Sequence, residues 1–232
     1  MLHCLLLVVK KTIIMAESQT KIKERDLIIG QDSGPEPPFP LRLGGDVMRG
    51  FGRGSEKLGC PTANLPVDTL TSKPWIESAK CGVYIGWCTI RFPQDHPALT
   101  ATTRLPSSRI LSPDYVPPTP GFQLSKESLE KGWRLYPMVI SIGYNPFFKN
   151  TTRSAEAHVL AGFEKDFYGC EMRVCLLGFV RNEEDYENAE ALIDDIRIDC
   201  EVTRQSLSRT NWNLSGELWK KEVEWLNGNG DV

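Results

Sequence analysis

The sequence predicts an antiparallel β-barrel or β-sandwich followed by an amphipathic helix. Two segments, residues 83–88 and 138–144, alternate apolar and polar side chains, as half-buried strands do. A third segment, residues 172–180, is mostly apolar and fits a further strand. Gly and Pro punctuate these segments, and helical spacing appears only late in the chain. This order of elements favours an all-β domain with a C-terminal helix.

The late helical segment runs from Ala189 to Leu207. Apolar residues recur there at intervals of three or four, which is the spacing of an amphipathic helix. Three acidic residues at positions 183–185 precede it and suit the positive end of the helix dipole. Ser215 is a candidate cap for a short last helix over residues 218–226.

The N-terminal part is expected to lie outside the folded domain. Residues 1–40 are predicted to be a flexible extension with a Pro-rich lead-in at residues 34–40, and residues 41–232 to be the domain. The apolar run at residues 5–9 is too short to span a bilayer and has no charged residue in front of it. We therefore expect a cytoplasmic protein, and the nearby basic residues leave a mitochondrial location open.

An insertion at about residues 92–134 is predicted between two of the strands. Prolines are frequent there among polar residues, no repeat is present, and a faint helical pattern occurs only at residues 125–131. This composition is typical of a long surface excursion. We expect a mobile loop with little buried surface; a partner-binding element is the alternative.

Composition limits the class of partner. The formal net charge is −3, and no dense basic cluster that could track phosphates is present, which argues against nucleic-acid binding. The seven cysteines are an odd number without a C-x-x-C pair, as expected in a reducing compartment. The three histidines form no clustered zinc-ligand set. We expect a monomer with no nucleic-acid or membrane partner.

The most informative stretch is residues 50–64. It contains four glycines, two basic residues and a Pro-Thr-x-Asn tail. Glycines allow consecutive N–H groups to form a concave anion site. Thr62 and Asn64 would face the same side of an extended segment, and their neutral oxygens suit Mg²⁺. Because the spacing fits neither a Walker loop nor a Rossmann turn, a glycine-rich hairpin turn is the alternative interpretation.

A second candidate segment is residues 154–159. As a strand, it would direct residues 155, 157 and 159 to one face and Ser154, Glu156 and His158 to the other. The first face would pack, and the second could present chemistry. Taken alone, Glu156 would be interpreted as a solvated residue, and His158 as the donor or acceptor of a structural hydrogen bond.

Residues 50–64 resemble the signature of the riboflavin kinase family. Three further blocks resemble that family in the same order: residues 81–87, 136–150, and 154–160 with 166–169. The resemblance covers about residues 43–210, interrupted by the insertion. It implies a closed antiparallel Greek-key barrel with a C-terminal α-helix. It also implies transfer of the ATP γ-phosphate to the ribityl 5′-hydroxyl of riboflavin, which gives FMN and ADP.

The resemblance implies roles for individual residues at the nucleotide end. Gly50, Lys57 and Thr62 match positions that contact ATP. Thr62 and Asn64 match the pair that holds the metal, which would be Mg²⁺ or Zn²⁺, with ATP as the co-substrate.

At the acceptor end, the resemblance implies that Thr152 and Ser154 meet the flavin and that Glu156 is the catalytic carboxylate. A non-catalytic flavin- or nucleotide-binding barrel is the alternative, which the retained Glu156 disfavours. An oligonucleotide-binding barrel would need a basic, aromatic face, and the charge balance disfavours it. Bifunctional relatives carry a nucleotidyltransferase domain before the kinase, and only 49 residues precede Gly50, so FAD synthesis is not expected.

Overall fold

Six strands form one antiparallel sheet in the computed structural model, which describes residues 25–50, 59–100, 111–112, 114–144 and 153–232. The strand order across the sheet is β1-β6-β3-β4-β5-β2. The strands are β1 (Leu41–Asp46), β2 (Ala63–Leu65), β3 (Gly82–Arg91), β4 (Trp133–Tyr144), β5 (Arg153–Val159) and β6 (Glu171–Asn182).

The helices lie in the insertion and at the C-terminal end. The predicted long amphipathic helix is confirmed, and a short last helix follows it. Asn188 caps the long helix by accepting a hydrogen bond from the Ala191 N–H at 2.9 Å. The α-helices are α1 (Lys126–Glu130), α2 (Ala189–Leu207) and α3 (Lys220–Leu226). No helix within the described ranges combines the length and apolar character that crossing a bilayer requires.

The two faces of the sheet bury different clusters. One face carries the main core, in which side chains of all six strands meet. The other face of β3 and β4 is covered by α2, whose Ile196 and Cys200 pack on Val83 and Val139. Burial on both faces explains why β3 is apolar along nearly its whole length. The inner core includes Leu43, Tyr84, Ile90, Met138, Ile140, Ile142, Met172 and Leu176.

The two ends of the sheet approach each other at one isolated bridge. Met48, just past β1, donates its N–H to the carbonyl of Asn64 on β2 at 2.8 Å. All three residues of β2 pair with β5, and on the side of β1 the bridge at Asn64 is the only pairing among the described residues. In the described residues the sheet is therefore an open half-barrel with C-terminal helices. The closed barrel that the family resemblance implies is not confirmed.

The lead-in before β1 differs from the flexible segment that was expected. Ile29 donates its N–H to Ser206 Oγ at 3.1 Å, and Trp212 Nε1 donates to the Gln31 carbonyl at 2.8 Å. Arg25 pairs with the buried carboxylate of Asp199 at 2.8 Å. Residues 25–31 are thus packed on α2 and the segment after it, because that surface offers apolar and acidic partners.

The insertion leaves and re-enters the sheet at one point. Phe92 donates its N–H to the Gly132 carbonyl at 3.0 Å, directly beyond the Arg91–Trp133 pair of β3 and β4. The expectation of little buried surface is wrong, since His96, Leu124 and Ser128 are buried. Ser128 Oγ donates to the Asn227 carbonyl at 2.7 Å, which attaches α1 to the end of α3.

Candidate active site

Strand β5 presents the predicted chemical face. Residues 155, 157 and 159 are buried in the core, as the alternation predicted, while Ser154 and Glu156 are half-buried on the opposite face. This face is shared with Ser141 of β4, which lies directly opposite Glu156. The carboxylate of Glu156 is therefore held on a rigid strand at the centre of three neighbouring strands.

Asn64 of β2 lies on the other side of Glu156. The register of β2 and β5 pairs these two residues directly. Side chains at directly opposite positions of antiparallel strands share a face, with their Cβ atoms about 4.5–5.5 Å apart. The structure thus brings together Asn64 and Glu156, which are 92 positions apart in sequence (156 minus 64). Thr62 lies two residues before Asn64, on the segment that leads into β2.

Gly50 meets the same amide. A Cβ atom on Gly50 would clash with Nδ2 of Asn64. Glycine fits at this position because its backbone can lie close to the amide of Asn64. The first glycine of the glycine-rich stretch therefore lies against the predicted metal pair. The rest of that stretch at residues 51–58, with Lys57, lies outside the described residues, as does Thr152.

His158 connects β5 to the Pro-Thr-x-Asn segment. Its ring is buried, and Nδ1 lies 2.8 Å from the carbonyl oxygen of Pro61. Because a carbonyl can only accept, Nδ1 carries the proton in this hydrogen bond. Burial lowers the pKa of His158, which keeps the ring neutral, although the bond to Pro61 opposes that shift. The sequence interpretation of His158 as a structural hydrogen-bonding residue agrees with this contact.

A second carboxylate lies near the acceptor end, and sequence reasoning missed it there. Ser141 Oγ donates to Glu183 Oε1 at 3.2 Å, and a Cβ on Gly143 would clash with the same carboxylate. Burial raises the pKa of Glu183, and the hydrogen bond from Ser141 counters this. Ser154 Oγ donates to the Gly143 carbonyl at 3.4 Å, so Glu183 borders the position predicted for the flavin. From the sequence, Glu183 is related only to the helix dipole. No local sequence pattern indicates that Glu183 lies beside Ser141 and Gly143.

The donor set fits a hard cation. Within the described ranges, no group of three or more His, Cys, Asp or Glu side chains could hold a metal ion. Burial raises the pKa of the nearby Cys60 thiol to about 12, so it is a poor ligand and a poor nucleophile. Neutral oxygens of Thr62 and Asn64 beside a carboxylate suit a cation that takes its other ligands from phosphates and water.

These features define a class of protein. A carboxylate on a rigid strand, next to a neutral-oxygen pair and a glycine-rich segment, is the arrangement expected of a nucleotide-dependent phosphotransferase. The family model described as riboflavin kinase, under the name Flavokinase, matches residues 37–207.

Curated relatives agree with this match. The chain is 46% identical over 220 residues to riboflavin kinase of Neurospora crassa, covering 86% of this chain and 92% of that protein. It is 47% identical over 208 residues to riboflavin kinase of Pyricularia oryzae, covering 90% and 91% of the two chains. The solved riboflavin kinase structure from Trypanosoma brucei is a more distant likeness, with 24% identity, coverage of 75% and 83%, and a TM-score of 0.48. The chain belongs to the riboflavin kinase family.

Proposed function

We propose that this chain transfers the γ-phosphate of ATP to the ribityl 5′-hydroxyl of riboflavin and releases FMN and ADP. The observation that supports this most directly is the placement of Asn64 beside Glu156 across β2 and β5. The family match over residues 37–207 contains both residues and the whole half-barrel that positions them.

Glu156 is proposed as the catalytic carboxylate. The acceptor hydroxyl must lie in line with the γ-phosphate, and its proton needs an acceptor. A carboxylate on the chemical face of β5 meets both needs, because it accepts a hydrogen bond from the hydroxyl before transfer and takes the proton as transfer proceeds. Its position between β2 and β4 limits the directions from which the hydroxyl can approach.

Thr62 and Asn64 are proposed to hold a divalent metal, and their oxygens favour Mg²⁺ over Zn²⁺. When bound, the metal would neutralise charge on the β- and γ-phosphate oxygens. Gly50 has no side chain and so leaves room for the amide of Asn64. Gly50, Lys57 and Thr62 are proposed to contact ATP.

The acceptor end is assigned to Thr152 and Ser154, which precede Glu156 on the same stretch of chain. Ser154 lies opposite Gly143 on β4, and its hydroxyl already donates to that residue's carbonyl. A flavin bound over Ser154 would direct its ribityl chain toward Glu156, because residues two apart on a strand share one face.

The test is direct. Purified chain is incubated with riboflavin, ATP and Mg²⁺, and FMN and ADP are separated by chromatography; equal molar amounts of the two products are expected. Reactions without ATP or without riboflavin are the controls. Riboflavin binding without FMN formation under Mg²⁺, Zn²⁺ or Mn²⁺ would support the non-catalytic flavin-binding alternative instead.

A further inference from the structure

We propose that His158 is a positioning residue for the metal and nucleotide end of the site, because its side chain fixes the Pro61 carbonyl and with it the segment that carries Thr62 and Asn64. The inference rests on the proposed function for the roles of those two residues. His158 itself touches neither substrate nor metal in this assignment.

The length of strand β2 creates the need for such a contact. The β2–β5 ladder consists of three pairs and ends at Ala63 opposite Ala157. Pro61 lies before that end, and it has no N–H that could extend the ladder. The hydrogen bond from His158 Nδ1 to the Pro61 carbonyl, at 2.8 Å, continues the attachment to β5 beyond the last backbone pair.

The ring can make this bond in only one neutral tautomer. Nδ1 must carry the proton, since the Pro61 carbonyl accepts, and Nε2 then presents a lone pair. Among the described residues, Nε2 is buried without a hydrogen-bond partner, and His158 lies directly opposite the buried Val139 of β4. A polar edge without a partner is costly in an apolar setting, so packing alone does not explain a histidine here. The Nδ1 donor does.

The same strand gives the contact a direct link to the reaction. His158 and Glu156 are two residues apart on β5, so a shift of the Pro61 carbonyl relative to His158 also shifts the adjacent Thr62 relative to Glu156, while the ladder holds Asn64 opposite Glu156. The hydrogen bond therefore positions Thr62, the member of the proposed metal pair that lies beyond the ladder, relative to Asn64 and the Glu156 carboxylate. A misplacement of about 1 Å in such a site can lower the rate by about a hundredfold.

Three variants separate the donor from the bulk of the ring. Asn at position 158 carries an N–H close to the place of Nδ1, Gln carries one near the place of Nε2, and Leu carries none. Each is assayed for the Mg²⁺ concentration at half-maximal FMN formation, for the KM of Mg·ATP, for Mg²⁺-dependent binding of a fluorescent ADP analogue, and for riboflavin affinity by flavin fluorescence.

Loss of a contact that orients a metal ligand typically costs about ten- to a hundredfold in metal affinity or activity. His158→Gln and His158→Leu are expected to raise the Mg²⁺ requirement and the KM of Mg·ATP by at least about tenfold. His158→Asn is expected to stay within about threefold of the parent, and riboflavin affinity within about twofold in all three.

Equal behaviour of the Asn and Gln variants, or a loss of riboflavin affinity as large as the loss for Mg·ATP, would overturn the proposal. If His158→Leu fails to fold, the Asn and Gln pair decides alone. A parent chain that makes no FMN contradicts the proposed function, whereas the Mg²⁺-dependent binding of the ADP analogue still ranks the variants.

Discussion

The register of β5 with β2 and β4 positions Glu156, so its proposed catalytic role can be tested separately from substrate binding. Asn64 and Ser141 flank it on either side, and all three lie on backbone that is hydrogen-bonded into the sheet. A change of its side-chain chemistry should therefore leave the surrounding geometry intact.

Glu156→Gln keeps the shape of the side chain but cannot accept a proton. Turnover is expected to fall by about a hundred- to ten-thousandfold, the range for removal of a general base. Affinity for riboflavin and ATP should stay within about tenfold, because other residues are proposed to bind both. Single-turnover FMN formation and riboflavin fluorescence titration measure the two effects; near-normal turnover would remove Glu156 from the catalytic role.

The Gly50 contact with Asn64 allows a double-mutant test of the metal pair. Gly50→Ala is expected to displace the Asn64 amide and, like Asn64→Ala or Thr62→Ala, to raise the Mg²⁺ requirement about ten- to a hundredfold. Added to Asn64→Ala, the same substitution should cost little more, because the amide with which it clashes is gone. Additive effects of the two changes would show that Gly50 acts independently of Asn64.

At the scale of elements, the attachment of α1 to α3 carries a stability prediction. Ser128→Ala removes the donor to the Asn227 carbonyl and is expected to lower the free energy of unfolding by about 1–3 kcal/mol. Lys126→Ala on the same helix is the matched control, since its side chain is 92% exposed, and should change stability by less than about 0.5 kcal/mol. Urea unfolding measures both. Equal effects would mean that α1 is not held by this contact.

The insertion as a whole can be tested at its base. Arg91 and Trp133 are paired at the ends of β3 and β4 and both remain in place, so a short Gly-rich hairpin is expected to be able to replace residues 94–132. The sequence predicts that this replacement leaves a folded and active chain. The buried Leu124 and Ser128 now predict a lower urea midpoint for that replacement.

The sequence predicted local features of the fold and site well, for a physical reason. Strand alternation in β5 and helical spacing in α2 follow from the backbone periods of two and 3.6 residues, and both are confirmed. The open form of the sheet, the packed insertion and the position of Glu183 depend on contacts between distant segments. Glu183 meets Ser141 across 42 positions, and no local pattern encodes that distance.

At the scale of the whole molecule, the ion cluster around Asp199 joins the lead-in, β6 and α2. Arg25 and Arg181 both contact its carboxylate, which is 1% exposed, at 2.8 and 2.9 Å. Asp199→Asn removes the carboxylate that contacts Arg25 and leaves Arg181, among the described residues, with only the more distant pair to Asp195 at 4.0 Å, and it is expected to cost about 3–5 kcal/mol of unfolding free energy.

Asp194 provides the matched control on the same helix. Its pair with Arg197 is 45–52% exposed, and Asp194→Asn should cost less than about 1 kcal/mol. Urea unfolding of both variants decides the comparison. A loss below about 1 kcal/mol for Asp199→Asn would show that the cluster contributes no more than a surface pair.

Strand β2, with three residues at the edge of the sheet, gives the molecule an uneven resistance to amide hydrogen exchange. Short elements with few neighbours open at a lower free energy than central strands. The amides of residues 63–65 should take up deuterium well before those of β3. Saturating Mg²⁺ with ADP should slow the exchange of the β2 amides selectively. Part of the binding free energy would then be used to order β2, so nucleotide affinity would underestimate the strength of the contacts themselves.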